Sequence, residues 1–235
     1  MKLTPDQIDQ LYTFTRQHYV EYYDLQTELV DHLANAIEEQ WQENPKLSFD
    51  EALTIEFKKF GVFGFSDVVE KRHKTLSKKY FKLIWNHFVD FFKLPKIIGV
   101  FVLLLIAPFV LKVLIYIPQE IIFVMYIAVV MFVYYELYKN YKKRERNKKE
   151  NKKRWLFKEI ILGSQNTLML FILPLQFANS ISDKLPYLLN HPVYSILISS
   201  LLVFYGLFYY IIQNVIPAKA EEYLKQTYPE YGMAE

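Results

Sequence analysis

The chain of 235 residues contains no cysteine. That single absence excludes disulfide frameworks, zinc–thiolate sites, iron–sulfur clusters and thiol nucleophiles together. It leaves the compartment open, because a thiol-free chain tolerates either redox environment. An early apolar segment is missing as well. Met1-Lys2-Leu3-Thr4-Pro5-Asp6-Gln7 opens into a polar, acidic stretch without a secretory core, so the N-terminus is expected to stay in the cytoplasm. No HExxH, GxSxG or intramembrane aspartyl pair occurs. The sequence therefore points away from an enzyme, and it implies neither a cofactor nor a metal.

What is present is segregated along the chain. The overall figures, 52% hydrophobic residues, 23% charged and a net charge of +3, resemble those of an ordinary soluble domain. Yet residues 1–70 hold 14 of the 25 acidic residues against five basic ones, a net of −9, while residues 97–216 hold four long apolar runs. Runs of about 18 apolar residues or more mark membrane spans, so a single water-soluble domain is not the expectation.

The first 79 residues predict a compact helical unit. Thr4-Pro5-Asp6-Gln7 is a capping box with proline at the first helical position, and Ile8, Leu11, Tyr12, Thr15 and Tyr19 follow at helical spacing. Asp24 is placed to cap a second helix, whose stripe runs Leu25, Leu29, Leu33, Ala36, Ile37 and Trp41 until Pro45 stops it. Ser48-Phe49-Asp50-Glu51 is a second capping box, opening a third helix through Ala52, Leu53, Phe57 and Phe60. Gly61 stands where a left-handed C-cap would fall, and Ser66 can start a fourth helix. His18 with Tyr19, Tyr22 and Tyr23 reads as an interhelical packing seam.

These residues resemble a known module. Glu28-Leu29-Val30-Asp31-His32-Leu33, then Ser48-Phe49-Asp50-Glu51-Ala52-Leu53, then Phe60-Gly61, are similar to the small helical signalling domain called HAAS, over about residues 10–75. The chain departs from that pattern at Pro45-Lys46-Leu47, where the family usually has a small turn residue. The resemblance implies a bacterial membrane protein that accompanies PadR-type transcription regulators. Glu28 and His32 share one helical face, but no second ligand pair has matching spacing. Glu28, Asp31, His32, Glu38 and Glu39 are therefore expected to form a solvated acidic face for protein contacts rather than a metal site.

Beyond residue 80 the expectation is an amphipathic interfacial helix over 80–96, then a four-span transmembrane domain over 97–217, then a cytoplasmic tail over 218–235. In the interfacial segment, Phe81, Ile84, Trp85, Phe88, Phe91 and Phe92 share a face, with lysines at its flanks. The spans are expected at about 97–117, 121–138, 160–178 and 193–216, with Pro108 and Pro174 as kink points. Basic residues number eight in 71–96 and eleven in 139–158, against one, Lys184, in the two opposite loops. The positive-inside rule then puts both termini in the cytoplasm. The predicted fold class is all-α: a small cytoplasmic helical domain followed by a four-helix transmembrane bundle, in the cytoplasmic membrane of a bacterium.

Two further features bear on function. Lys142, Lys143, Arg144, Arg146, Lys148, Lys149, Lys152, Lys153 and Arg154 form a basic run between two spans. Beside a membrane such a run binds anionic lipid headgroups or an acidic partner rather than nucleic acid. The acidic face of the second helix is a candidate partner for this run or for residues 71–82. Gln165, Asn166 and Thr167 form an uncharged polar cluster near the start of the third span, read as helix packing or a small pocket. The leading functional expectation is a non-enzymatic multi-pass membrane protein with a cytoplasmic helical domain for signalling or regulatory contacts with a cytoplasmic or membrane protein. A small transporter or channel component using the polar start of span three is the alternative.

Overall fold

The computed structural model describes residues 2–114, 116–118, scattered positions between 121 and 146, residues 153–163, 184–228 and residue 231. Among these the architecture is all-helical, with no strand. The chain forms two compact units. The first joins Met1–Lys79, Lys153–Ile160 and Glu222–Glu235; the second joins Tyr80–Lys152 and Ile161–Glu221.

The first unit is built on local signals. Helix α1, Pro5–Gln17, begins at the Thr4 capping box, with the threonine side chain accepting from the Gln7 N–H and the glutamine side chain accepting from the Thr4 N–H. Helix α2 is Tyr23–Glu43, and α3, Phe49–Lys58, starts at the Ser48–Glu51 capping box. The apolar stripe of α2 is inside: Leu25, Leu29, Leu33, Ile37 and Trp41 are buried along with Leu11, Ala52 and Phe65. An aromatic cluster closes one end of this core, with Phe57 edge-on to Phe14 at 5.1 Å and to Phe65 at 5.0 Å, and His18 against Phe57 at 4.4 Å. His18 thus belongs to the packing seam, whereas Tyr19 turns out into solvent.

The turn that follows α3 needs two glycines. Gly61 and Gly64 have φ of +76° and +54°, and a Cβ at Gly64 would lie 3.0 Å from the Phe57 ring. Only glycine takes this backbone without strain. Helix α4 then runs unbroken over Ser66–Asp90. The interfacial segment expected as a separate helix is in its first part the continuation of this 25-residue helix. Nothing between 75 and 80 breaks the periodicity: Leu76, Tyr80 and Ile84 are buried at four-residue spacing.

In the second unit, α5 is Lys96–Leu114 and contains Pro108 inside the helix. After the short α7, Leu185–Asn190, helix α8 covers Pro192–Tyr210, followed by a π-helical turn, Ile211–Val215, and a last α-helical turn, Ile216–Ala218. The widened turn precedes Pro217, which has no N–H to give the Gln213 carbonyl and whose ring would crowd it in a regular helix. Helix α8 packs against α5. It buries Ser195, Ser199 and Leu207 at intervals that are multiples of four residues, Ile211 of the π-helical turn continues the series, and Gly206 is exposed outside that stripe.

Among the described residues, two helices are long and apolar enough to cross a membrane, Lys96–Val113 and Pro192–Ala218. They coincide with the first and fourth expected spans. In the second, 121–138, the described positions are helical, and the third, 160–178, lies outside the described residues beyond Gly163. Helix α6, Leu156–Gly163, and helix α9, Ala220–Thr227, complete the described elements.

Candidate interaction site

The start of α2 is where the first unit gathers distant parts of the chain. The helix lacks the side-chain cap expected from Asp24: its N-cap is Tyr22, which makes no capping hydrogen bond. Asp24 lies one position inside the helix, 6% exposed, and its carboxylate turns away from its own backbone. One oxygen accepts the Leu156 backbone N–H at 3.1 Å, and the other accepts the Tyr228 hydroxyl at 2.7 Å. The free N–H of Tyr23, one of the orphan donors at any helix start, is satisfied by the Arg154 carbonyl at 2.7 Å. A buried carboxylate left without donors would cost several kcal/mol, so these contacts hold the 153–160 and 222–228 segments to α2.

Packing follows the same lines. Trp155 is buried with its ring 5.4 Å from Tyr23, 5.1 Å from Tyr228 and 5.1 Å from Tyr231. Leu156, Phe157 and Leu224 are fully buried, and Lys158 donates to the Tyr231 hydroxyl at 2.7 Å. From α4, Lys79 donates to Thr227 at 2.8 Å and lies over the Phe157 ring. The region expected as a cytoplasmic tail, 218–235, thus supplies core residues of the first unit, Leu224, Tyr228 and Tyr231 among them.

At the rim, Arg154 forms ion pairs with Glu21 and with Glu159 and lies over the Tyr22 ring. Partial burial works against the guanidinium charge, but the carboxylates of Glu159 and Glu21 outweigh it and hold Arg154 above its ordinary pKa. Burial, reinforced by the hydrogen bond to Asp24, pushes the Tyr228 phenol far above its usual range, with the Arg72 charge pulling the other way. Tyr22 is raised as well, by burial first and then by Glu159.

The residues singled out from sequence distribute unevenly. Glu28 pairs with Arg72 at 3.8 Å, a contact inside the expected 71–82 partner region. Glu38 accepts the Leu3 N–H at 2.9 Å, and His32 sits 5.9 Å from the Phe60 ring. Asp31 and Glu39 are exposed. Of the basic run, Arg154 joins the site and Lys153 lies 4.2 Å from the Tyr23 ring centre, whereas Lys142 is exposed. Arg146 belongs to the second unit, and Lys143, Arg144, Lys148, Lys149 and Lys152 lie outside the described residues, as do Gln165, Asn166 and Thr167. Sequence reasoning missed Asp24 as a receptor for remote segments, and with it Trp155, Tyr228 and Tyr231. The available signal was a tail rich in tyrosine, which is uncommon in a solvated tail. Among the described residues no group of three His, Asp or Glu could hold a metal ion.

Two exposed places of the first unit break its polar pattern: Tyr19 after α1 is 87% exposed, and Val62 and Phe63 at the α3–α4 turn are 96% and 72% exposed. The two glycines that flank Val62-Phe63 hold these side chains out of the core.

Fold and site together define a class: an all-helical chain, as far as described, with two membrane-length helices and a helical unit assembled from three stretches of sequence. The chain matches no protein-family model, no curated protein and no solved structure.

Proposed function

We propose that this is a non-enzymatic multi-pass membrane protein whose helical unit, facing the cytoplasm of a bacterium, makes signalling or regulatory contacts with a protein partner. The observation that carries this reading is the Asp24 site. Residues 153–160 lead into the third expected span, and residues 222–231 follow the fourth. A helical unit that takes core residues from both stretches is joined by covalent chain to two spans besides the one entered through α4. A change in either span's end would act on Asp24 and Trp155, and a partner bound to the unit would act on the spans in return.

The four-span bundle and the cytoplasmic placement of both termini rest on the apolar runs and on the lysine and arginine asymmetry of the loops. The acidic face around Asp31 and Glu39 and the exposed Val62-Phe63 turn are the two surfaces offered to a partner. Exposed apolar side chains next to each other on a polar unit are typical of such sites. The resemblance to the HAAS module points in the same direction.

A photocrosslinking residue placed at 39, 62 or 63 of the full chain in its native membrane tests this. The expected outcome is one discrete protein adduct from at least one of these positions, lost when Val62 and Phe63 are replaced by aspartate. No adduct from any of the three positions would refute a protein-contact role.

A further inference from the structure

The second half of α4 has two apolar edges with different surroundings. Ile84, Phe88 and Phe91 form the inner edge. Ile84 is buried, the Phe88 ring stacks on Phe208 at 4.2 Å, and Phe91 meets Tyr210 edge-on at 6.2 Å. This edge grips the end of α8 next to its π-helical turn.

The outer edge runs Phe81, Trp85, Val89, then Phe92 just past the helix, at spacings of four, four and three residues. Phe81 and Trp85 are 68% and 57% exposed, and all four positions are exposed. By helical spacing Phe81, Ile84, Trp85, Phe88, Phe91 and Phe92 share one face. That arc is wide enough for α8 to cover one side and leave the other open. Beside the open side stand Lys82, Lys93 and Lys96, all exposed. Lys93 shares its charge with Asp90 at 2.7 Å, and Lys96 lies over the Phe91 ring at 5.1 Å. Lys82 has no such partner among the described residues.

A bilayer surface is the occupant that the rest of this unit specifies. Helix α5 begins at Lys96, only residues 91–95 after α4 ends, and it is long and apolar enough to cross a membrane. Its outward side chains, Ile98, Phe101, Leu105 and Phe109, are apolar and exposed. Tryptophan and phenylalanine rings bordered by lysines at the entrance to such a helix match the headgroup layer, where rings sit among the upper acyl carbons and ammonium groups reach lipid phosphates.

We infer that the outer edge of α4 binds the surface of an anionic bilayer, with Phe81, Trp85 and Phe92 seated at headgroup depth and Lys82, Lys93 and Lys96 meeting lipid anions. Because the opposite edge of the same helix holds Phe208 and Tyr210, occupancy of this surface is felt at the end of α8. The inference rests on reading α5 as a span, and its test separates the two.

The cysteine-free chain makes that test direct. A nitroxide is attached at Phe81→Cys, at Val89→Cys or, as a reference, at Phe101→Cys in the full protein. Its depth is measured in phosphatidylcholine vesicles with and without phosphatidylglycerol. The labels at 81 and 89 are expected at headgroup depth with phosphatidylglycerol and mostly aqueous without it. Lys82→Gln and Lys93→Gln should each reduce the immersed population about fivefold. Labels at 81 and 89 that stay aqueous while 101 lies in the acyl region would overturn the inference and leave the span reading intact. Equal immersion in both vesicles, unchanged by the lysine substitutions, would overturn the anionic preference. An aqueous label at 101 would overturn both.

Discussion

In α2 the leucines at 25, 29 and 33 are inside and the charged residues Asp31 and Glu39 are outside; in α5 Val100 is buried while Phe101, Leu105 and Phe109 face outward. The two helices are comparable in length, yet they sort apolar side chains in opposite senses. The first unit has the arrangement that water imposes, with burial contributing about 25 cal/mol for each Å² of apolar surface. The second has the arrangement expected where the surroundings are themselves apolar and small residues such as Ser195 and Ser199 mediate helix contact. Ser199 returns its hydroxyl to the Ser195 carbonyl at 2.6 Å, keeping a polar group satisfied within its own helix. The lesson is that hydropathy averaged over a chain hides which solvent each helix was built for.

Four variants, three single and one double, sharpen or break this comparison. The largest effect is expected at Trp155, whose buried ring belongs to the first unit although its sequence position lies far from α2. Trp155→Ala should cost about 3–5 kcal/mol of the unit's stability, read from denaturant unfolding of the full chain in nanodiscs. An effect below about 1 kcal/mol would mean that 153–160 is not part of that core.

Next is Leu105, at the middle of α5. In water an exposed leucine tolerates aspartate with little change, whereas at the centre of a membrane span Leu105→Asp should cost about 3 kcal/mol in insertion. Glycosylation-tag insertion assays distinguish these outcomes.

Tyr228→Phe removes one donor from the buried Asp24 carboxylate and should destabilise the first unit by about 1–3 kcal/mol. This hydroxyl also sets a pH dependence. The ordinary tyrosine pKa is 10.0 and folding raises that of Tyr228. The folded state therefore holds the phenolic proton more tightly than the unfolded chain. The contribution is fully present below about pH 10 and declines above it, by up to about 1.4 kcal/mol for each pH unit. Tyr228→Phe should flatten that alkaline decline in unfolding titrations. A wild-type curve with no such decline would show that Tyr228 is not buried against Asp24.

The smallest effect is expected at Asp31 and Glu39. Both are exposed, so Asp31→Asn with Glu39→Gln should change stability by less than about 0.5 kcal/mol. The same pair should weaken partner crosslinking if the acidic face is used. Loss of stability instead of loss of crosslinking would make this face structural.

Much of the first unit was legible because its signals are local. The Thr4 and Ser48 boxes, the α2 stripe and the positive φ of Gly61 each depend on residues within a few positions of one another. The Asp24 site was not legible for the opposite reason. Its partners stand 132 and 204 positions away, and no periodicity records a contact over that distance. An aspartate before an apolar stripe reads as a cap, and Asp24 fits that pattern while serving another purpose. The join in α4 was missed because the switch from a basic surface to an aromatic one looks like a boundary, although the buried positions Leu76, Tyr80 and Ile84 continue in phase.

The central claim is that the segment after the basic run and the C-terminal stretch are integral parts of the N-terminal helical unit. Amide hydrogen exchange of the full chain in nanodiscs tests it most directly. The Leu156 and Tyr23 amides, which donate to Asp24 and to Arg154, and residues 224–228 should be protected to the same degree as Leu29 and Leu33. They should lose that protection together on Trp155→Ala. Rapid exchange at 156 and 224–228 beside a fully protected α2 would contradict the account.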